Sequence, residues 1–342
     1  MVITQSYEKL SANKGKIIFI DVRSPKEYTE AHIPGAVNIP VFSDKEREIV
    51  GTIYKQEGKR SAIKEALKIV GPKVLDLYLQ FEECHKGKNR MVVYCARGGM
   101  RSSTVAALMK ELALPLVKLE NGYKGYRQYI NDNLPLLVKK FQFVTLYGKT
   151  GSGKTDILKR LKSEGYDILD LEACANNRGS LLGDIGLGEK YSQKFFESLV
   201  FESLINAKSD ILITEGESRR IGNIVMPPYL YEALINSRKL YIETGLERRT
   251  EIIRREYLKD GVGQEEIISS IKRLGKYINE KQIEEFISGV KNEDYDKVIK
   301  DLMVKYYDKV YSSKGKTYEK IFSNDNEDEC VKEITEYIFP EE

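Results

Sequence analysis

The chain has 342 residues, 41% of them hydrophobic and 31% charged, with a formal net charge of +3, an ordinary balance for a globular protein of two domains. Residues 1–20 lack a signal-peptide pattern, and no apolar stretch approaches the ~18 residues of a membrane-spanning helix. The four cysteines form no Cys-x-x-Cys pair and there are only two histidines, which argues against a disulfide framework, a structural zinc site and histidine-based catalysis. We therefore expect a cytoplasmic protein without membrane contact.

The first half of the chain alternates strand-like and helix-like segments. The segments that read as buried strands are KIIFIDVR (16–23), AVNIP (36–40) and MVVYCA (91–96). Helical patterns cover PKEYTEAH (25–32), Ser61 to Glu82 and Ser102 to Leu112. Such alternation predicts a parallel sheet with helices on both faces.

Cys95 stands directly after the most apolar of these strands. Two glycines and two arginines, Arg97 and Arg101, follow it before the next helix. Backbone N–H groups of such a loop, and the positive end of the helix dipole beneath it, favour the reactive thiolate form. A buried structural cysteine would need neither the glycines nor the arginines. We therefore predict a reactive thiol at the carboxyl end of a central strand, where open α/β sheets place their ligands.

The second half alternates again after a polar, proline-containing link, NDNLPLLVKK (131–140). This link predicts two domains, 1–134 and 135–342. The strand-like segments of the second domain are Phe143 to Tyr147, DILDLE (167–172), ILITEG (211–216) and KLYIET (239–244). A charged helical region follows from Leu246 to Lys300, so a P-loop αβα fold with a helical extension is expected.

The segment FVTLYGKTGSGKT contains a complete G-x-x-x-x-G-K-[ST] motif between a strand and a helix-like segment. The loop N–H groups can surround phosphate oxygens, the lysine can neutralise them, and the threonine hydroxyl can hold Mg²⁺. We predict that the phosphate-binding residues are Gly148, Gly151, Ser152, Gly153, Lys154 and Thr155.

The strand ILITEG has the apolar character of a Walker B segment, but it leads into Glu215 and Glu217 rather than an aspartate. This departure weakens the prediction of an ordinary ATPase. Either glutamate could hold Mg²⁺ through water and support a bound diphosphate. A salt bridge from Glu217 to Arg219 or Arg220 explains that residue equally well.

Part of the first half resembles a known domain. DVRSPKEY (21–28), AHIPGAVNIP (31–40) and the Cys95 loop are similar to the rhodanese domain, in which a loop cysteine carries sulfur as a persulfide. Typical sulfurtransferases of that fold place four residues between the cysteine and the closing arginine, whereas five, Ala96 to Met100, intervene here, as in the phosphatase branch. The longer loop implies a wider anion cradle, which suits selenium or phosphate as well as sulfur.

Three further segments resemble the bacterial tRNA 2-selenouridine synthase family: EREIVGTIYKQEG (46–58), CARGGMRS (95–102) and EGESRRIG (215–222). That family joins a rhodanese domain to a P-loop domain in this order, and the resemblance weakens after about Leu246. It implies an enzyme that converts 2-thiouridine at the tRNA wobble position to 2-selenouridine with selenophosphate. The implied intermediate is S-geranyl-2-thiouridine, made from geranyl diphosphate.

The resemblance also implies roles for individual residues. Arg97, Arg101 and the loop amides would hold selenophosphate while Cys95 Sγ attacks selenium, giving a selanyl-cysteine. Lys154 and Mg²⁺ would stabilise the diphosphate that leaves geranyl diphosphate. Selenophosphate and geranyl diphosphate are substrates in this scheme, no cofactor is tightly bound, and Mg²⁺ at Thr155 is the one metal expected.

Candidates for tRNA contact are basic residues near these motifs. Arginines at helical spacing in RRTEIIRREYLKDG (248–261) suit phosphate contact, although the interleaved glutamates suit a solvated helix equally well. NGYKGYRQY (121–129) adds aromatic residues to positive charge after the Cys95 loop. The candidates are Lys124, Arg219, Arg220, Arg248 and Arg249.

Two other functions remain open from the sequence. A P-loop nucleotide kinase with a rhodanese sulfurtransferase or regulatory domain predicts ATP turnover and a dispensable Cys95. A non-catalytic adaptor that binds nucleotide and a sulfur-carrier partner predicts that both loops tolerate substitution.

Overall fold

A computed structural model describes residues 2–12, 17–87, 90–180, 182–258, 262–310 and 317–340. Lys16, the predicted start of the first strand, and residues 259–261 of the basic segment lie outside the described residues. Two compact units divide the chain: Met1–Leu134 with Glu197–Leu199, and Pro135–Phe196 with Val200–Glu342. Within the described ranges no helix is long and apolar enough to cross a membrane.

The first unit contains a parallel sheet in the order β1-β5-β4-β2-β3. Its strands are β1 Ile3–Gln5, β2 Ile17–Asp21, β3 Val37–Asn38, β4 Arg90–Tyr94 and β5 Val117–Leu119. Parallel neighbours need long crossover connections. The helices between its strands are α1 Tyr7–Ser11, α2 Pro25–Glu30, α3 Asp44–Gln56, α4 Lys59–Val70, α5 Val74–Lys86 and α6 Met100–Glu111. A further helix, α7 Gly122–Val138, follows β5. The central strand, β4, is the one that leads into Cys95.

Two segments, one in this unit and one at its end, differ from the sequence prediction. The helical pattern from Ser61 to Glu82 is split into α4 and α5 by the 3₁₀ turn Gly71–Lys73, because Pro72 cannot donate a helix hydrogen bond. The predicted link 131–140 is helical up to Val138, with Pro135 inside the helix. Ile130, Leu134 and Val138, four residues apart, are all buried, and their burial outweighs the one hydrogen bond that proline removes.

The second unit contains a parallel sheet in the order β12-β11-β6-β8-β7 and a separate antiparallel pair, β9 and β10. The strands are β6 Gln142–Tyr147, β7 Ile168–Leu169, β8 Ile211–Glu215, β9 Arg220–Ile221, β10 Ile224–Val225, β11 Arg238–Glu243 and β12 Lys320–Ser323. The predicted α/β class with two parallel sheets is therefore confirmed.

The helices of the second unit include the extension that the sequence predicted as one charged helical region. They are α8 Lys154–Ser163, α9 Leu171–Ala175, α10 Gln193–Ile205, α11 Pro228–Ile235, α12 Leu246–Tyr257, α13 Gln264–Lys272, α14 Glu280–Lys291, α15 Tyr295–Leu302, α16 Asp308–Val310 and α17 Glu327–Ile338. Two shorter turns are 3₁₀ Arg273–Lys276 and π-helical Met303–Tyr307. The extension has its own apolar core, which includes Ile267, Ile271, Ile283, Phe286 and Leu302.

The segment 167–172 is shorter as a strand than predicted. Only Ile168–Leu169 belongs to the sheet, and Asp170 ends the strand by capping α9, its carboxylate accepting the Ala173 N–H at 2.8 Å. The cap starts a helix at the carboxyl edge of the sheet, which brings Glu172 beside the P-loop.

Candidate active sites

Cys95 lies at the carboxyl end of β4 and is 3% exposed. Its Sγ lies 3.2 Å from the hydroxyl oxygen of Ser102 and 4.0 Å from the carbonyl oxygen of Gly99. Ser102 belongs to the first turn of α6, so the sulfur faces the N-terminus of that helix, as predicted. The loop thus holds the thiol at its base rather than on its rim.

The backbone of the Cys95 loop leaves N–H groups free for an anion. The carbonyl oxygens of Cys95 and Ala96 accept N–H groups of Tyr123 and Lys124 at 2.9 and 3.0 Å. Among the described residues, no hydrogen bond uses the N–H groups of 97–101. With the helix N-terminus, these donors form an anion-binding concavity above the sulfur.

Gly122 fixes the shape of this loop, and sequence reasoning missed it. Its φ is +56°, and an added Cβ would overlap the Cys95 carbonyl oxygen and lie 2.5 Å from the Gly98 nitrogen. Only glycine allows both this backbone conformation and this approach. The N-G pair at 121–122 was the available signal, since it is typical of turns with positive φ.

The two arginines of the loop differ in position. Arg101 is bound to Glu27 through both ends of its guanidinium, with Nη1 to Oε2 at 2.6 Å and Nη2 to Oε1 at 3.2 Å. Burial alone would raise the pKa of Glu27, but the hydrogen bonds and charge of Arg101 bring this pKa below its ordinary value. Arg97 is exposed at the rim. In this structure Arg101 therefore braces the loop, and Arg97 is the arginine open to a ligand.

The P-loop joins β6 to α8, the context that its motif predicted. Lys154 Nζ donates to the carbonyl oxygen of Gly148 at 3.0 Å, across the mouth of the loop. Gly151 and Gly153 both have positive φ, and Ser152 is buried. The predicted phosphate-binding residues therefore surround one concavity at the N-terminus of α8.

Side chains far along the chain hold the P-loop from behind, a role that sequence reasoning missed. Asn324 Nδ2 and Thr244 Oγ1 donate to the Ser152 carbonyl oxygen at 2.8 and 2.9 Å. Arg249 Nε donates to the Thr150 carbonyl oxygen at 2.9 Å. These bonds turn loop carbonyls outward, which leaves the N–H groups directed inward.

Glu172 is a further residue that sequence reasoning missed. Its Oε2 accepts the Thr155 hydroxyl at 3.0 Å. Burial raises its pKa to about 8, and the negative charge of Glu217 adds to the rise, while Lys154 and the Thr155 hydroxyl oppose it. An acidic residue just after a strand beside the P-loop was the available signal.

The two predicted glutamates occupy different places. Glu217 lines the P-loop cleft. Its carboxylate and that of Glu172 both lie against Gly179, since a Cβ added to this glycine would be 2.7 Å or less from each of them. Glu215 is 1% exposed, and its Oε1 accepts the Glu172 N–H at 2.7 Å. Burial, and then the charges of Asp170 and Glu172, raise the Glu215 pKa well above its ordinary value. Glu215 thus supports Glu172, and Glu217 faces the cleft.

The oxygen donors at the cleft are of the kind that could hold a Mg²⁺ ion if a diphosphate were bound with it. Thr155, Glu172 and Glu217 offer hard oxygen donors. Over the described ranges no group of three or more His, Cys, Asp or Glu side chains forms a metal site by itself. A few protein oxygens completed by substrate phosphates is the coordination that Mg²⁺ commonly takes.

The cleft at the P-loop has a volume of about 420 Å³. Besides the P-loop and the acidic residues, its lining includes Arg178, Tyr231 and Tyr257. Arg178 donates to the carbonyl oxygens of Ile185 and Glu256 at 2.6 and 3.1 Å and lies over the Tyr257 ring. It therefore ties the glycine-rich segment after α9 to α12.

The predicted tRNA contacts fall into two groups. Lys124, Arg219 and Arg220 are exposed. Arg248 is half-buried, and its guanidinium lies 3.8 Å from the Glu327 carboxylate. Arg249 is 3% exposed, and its Nη1 and Nη2 atoms donate to the Asp308 carboxylate at 3.0 and 2.7 Å. The structure thus places Arg249 differently from the expectation: its charge is neutralised by Asp308, and it holds the P-loop rather than facing solvent.

Comparison with known proteins assigns both units. The family described as "tRNA 2-selenouridine synthase AAA domain" matches residues 141–338, and the family described as "Rhodanese-like domain" matches residues 4–131. A Nitrosomonas europaea protein named tRNA 2-selenouridine synthase is 33% identical over 77% of this chain and 70% of its own length.

Two further proteins are similar over different extents. A Hydrogenovibrio crunogenus protein, also named tRNA 2-selenouridine synthase, is 29% identical over 86% of this chain and 88% of its own length. A solved structure, the N-terminal domain of a Clostridium difficile 630 protein named for ATP or GTP binding, is 43% identical. The match covers 38% of this chain and 98% of the solved domain, with a TM-score of 0.36.

Proposed function

Because the chain belongs to the tRNA 2-selenouridine synthase family, we propose that it replaces the sulfur of wobble 2-thiouridine in tRNA with selenium. The proposed selenium donor is selenophosphate, and the proposed intermediate is S-geranyl-2-thiouridine made from geranyl diphosphate. One observation supports this proposal: two loops at helix N-termini are suited to anions, one with a thiol at its base and one with a lysine and oxygen donors.

The P-loop is the proposed site of geranyl transfer. The sulfur of 2-thiouridine attacks C1 of geranyl diphosphate, the C1–O bond breaks, and diphosphate leaves with the bonding electrons. The N3 proton of the base is lost to solvent. Lys154 and the loop N–H groups stabilise the negative charge that develops on the leaving group. Thr155, Glu172 and Glu217 would hold a Mg²⁺ ion here, and such an ion would supply further positive charge for the leaving diphosphate.

The Cys95 loop is the proposed site of selenophosphate activation. The overall exchange turns S-geranyl-2-thiouridine, selenophosphate and water into 2-selenouridine, geranylthiol and phosphate. Geranylation makes the sulfur a better leaving group, because it departs as a thiol rather than as sulfide. The free N–H groups of 97–101 and exposed Arg97 suit a phosphate-like anion.

Electron balance decides which atom the Cys95 sulfur attacks. Attack on phosphorus breaks the P–Se bond, leaves both electrons on selenium as hydrogen selenide, and forms an S-phosphocysteine that water hydrolyses to phosphate. Attack on selenium, as the sequence resemblance implied, would leave those electrons on phosphorus and could not give phosphate without an oxidant. We therefore propose attack on phosphorus, which agrees with five residues between Cys95 and Arg101. The released selenide then attacks C2 and expels geranylthiol.

The kinase alternative is less well supported by the cleft. Glu215, at the end of the Walker B-like strand, is buried and bound to the Glu172 N–H, so it does not face the cleft. The products distinguish the two functions, because a kinase would consume ATP without altering the nucleoside.

Mass spectrometry of wobble nucleosides tests the proposal directly. The full chain is incubated with 2-thiouridine tRNA and with geranyl diphosphate, selenophosphate, both, or ATP. We expect S-geranyl-2-thiouridine with the first donor alone and 2-selenouridine with both. No modified nucleoside with any donor, together with ATP turnover, would contradict the proposal in favour of the kinase.

A second experiment tests the role of Cys95. Protein incubated with radiophosphorus-labelled selenophosphate in the absence of tRNA should carry label on the Cys95 peptide, and Cys95→Ser should carry none. A selenium isotope pattern on that peptide, without phosphorus label, would instead support attack on selenium.

A further inference from the structure

A second cavity lies beside the P-loop cleft and has a different character. Its exposed wall is apolar, and its volume is about 70 Å³. Most of the residues that line it come from α12, α13, α15 and the π-helical turn, and they include Ile253, Ile267, Ile271, Leu302 and Met303. The others lie in the P-loop, in the loop after α9, just after α12 and in α14. An apolar wall of this kind favours contact with hydrocarbon over contact with water.

The apolar cavity and the P-loop cleft share part of their walls. Thr150, Ile253, Tyr257 and Tyr307 line both. Ile253 also touches the P-loop, because a Cβ added to Gly151 would lie 2.8 Å from its Cγ1 and Cδ1 atoms. A ligand whose anionic end is bound by the P-loop can therefore reach the apolar cavity past Ile253.

We infer that this cavity receives the end of the hydrocarbon chain of a prenyl diphosphate whose diphosphate is bound by the P-loop. The inference rests on the proposed function and deepens it, since it assigns the chain to named residues. A nucleotide would suit the same place poorly, because the surface that the described lining residues expose to the cavity is apolar, whereas the edge of a base needs hydrogen-bond partners.

The size of the cavity sets an expected limit on chain length. Its volume is about half of the roughly 150 Å³ in which an apolar protein cavity holds benzene. It therefore has room for the tip of a ten-carbon chain, while the first carbons lie along the wall shared with the cleft. A fifteen-carbon chain would have to displace side chains of the packed helical core.

Substitutions at Ile267 and Ile283 provide a matched test. Both are isoleucines of the same apolar core, 9% and 8% exposed, but only Ile267 lines the cavity. Ile267→Ala should improve transfer from farnesyl diphosphate relative to geranyl diphosphate by at least about tenfold. Ile283→Ala should leave that ratio as in the wild-type chain, and inhibition by inorganic diphosphate should be unchanged in both variants.

A measurement on the wild-type chain covers the case in which Ile267→Ala does not fold. Dimethylallyl, geranyl and farnesyl diphosphates are compared as donors, and we expect kcat/KM to be highest for geranyl by about tenfold or more. Equal use of all three donors, or the same donor ratio in the two alanine variants, would overturn the cavity assignment while geranyl transfer itself stands. If no prenyl diphosphate is used at all, both the proposed function and this inference fail.

Discussion

Gly122 is the position at which a single added methyl group should separate the two proposed activities. In Gly122→Ala the new Cβ would overlap the Cys95 carbonyl oxygen and crowd the Gly98 nitrogen. Gly35→Ala is a matched control in the same unit: its φ is +73°, and an added Cβ meets nothing within 4 Å.

Gly122→Ala and Gly35→Ala both force an alanine into a left-handed backbone conformation, but only Gly122→Ala also creates steric crowding. A left-handed backbone conformation costs an alanine about 1–2 kcal/mol at either position. Crowding against backbone atoms adds about 1–3 kcal/mol at Gly122 alone. We therefore expect Gly122→Ala to lower the free energy of unfolding by about 1–3 kcal/mol more than Gly35→Ala does.

Urea unfolding followed by circular dichroism measures this difference, since the chain has no tryptophan. A displacement of about 1 Å at the loop can cost on the order of 10²-fold in rate, so selenation should fall by about that factor in Gly122→Ala. Geranyl transfer should remain as in the wild-type chain. Equal stability and equal selenation in the two variants would refute the assigned role of Gly122.

Three further predictions concern charge. In the absence of metal and phosphate, the raised pKa of Glu172 means that the folded state keeps a proton that the unfolded state loses, so the free energy of unfolding falls as pH rises from about 4.5 to about 8. In thermal denaturation, Glu172→Gln should be more stable than the wild-type chain by about 1 kcal/mol or more at pH 9 and equally stable at pH 4. A difference in stability that does not change with pH would contradict the assignment. The lowered pKa of Glu27 means that this residue stabilises the folded state at pH values above its pKa in the unfolded chain, and that the stabilisation is lost as pH falls through its pKa in the folded chain. In urea titrations, Glu27→Gln should therefore lower the free energy of unfolding by about 1–3 kcal/mol at pH 7 and by progressively less toward pH 3. In filter binding, replacing Arg219 and Arg220 together by alanine should weaken tRNA binding about tenfold. The slope of log binding constant against log salt concentration should become smaller by about 0.7–0.9 per lost phosphate contact. Arg160→Ala removes an arginine that is paired with Glu164, and it should change neither quantity.

Features written in short stretches of sequence were predictable. The buried strands of both sheets are continuous apolar runs, and the P-loop is specified by residues 148–155 themselves. The Cys95 loop is equally local, because the strand, the glycines and the following helix are adjacent in the chain. Local chemistry alone therefore indicated both loops and their position at the carboxyl ends of strands.

Contacts between residues far apart in sequence were not predictable. Arg101 looks like a ligand-binding arginine until Glu27, 74 residues earlier, is seen to accept both ends of its guanidinium. Arg249 looks like a surface arginine of a charged helix until Asp308 neutralises it. In each case the sequence shows the charge, but only the fold shows the partner.

Segments in which two local signals compete were also misread. Residues 167–172 have the apolar alternation of a strand, but the capping side chain of Asp170 ends the strand after Leu169. Pro135 suggested a link, but the apolar stripe of α7 overrides it. The first of these errors hid Glu172, which the structure places against Thr155.

A bypass experiment tests the division of labour between the two loops most directly. Lys154→Ala is incubated with selenophosphate and tRNA that already carries S-geranyl-2-thiouridine, and Cys95→Ala is incubated with 2-thiouridine tRNA and both donors. We expect Lys154→Ala to form 2-selenouridine from the geranylated tRNA but not from 2-thiouridine tRNA, and Cys95→Ala to accumulate S-geranyl-2-thiouridine. If Lys154→Ala cannot use the geranylated tRNA, or Cys95→Ala still forms 2-selenouridine, the assignment of the two steps to the two loops is contradicted.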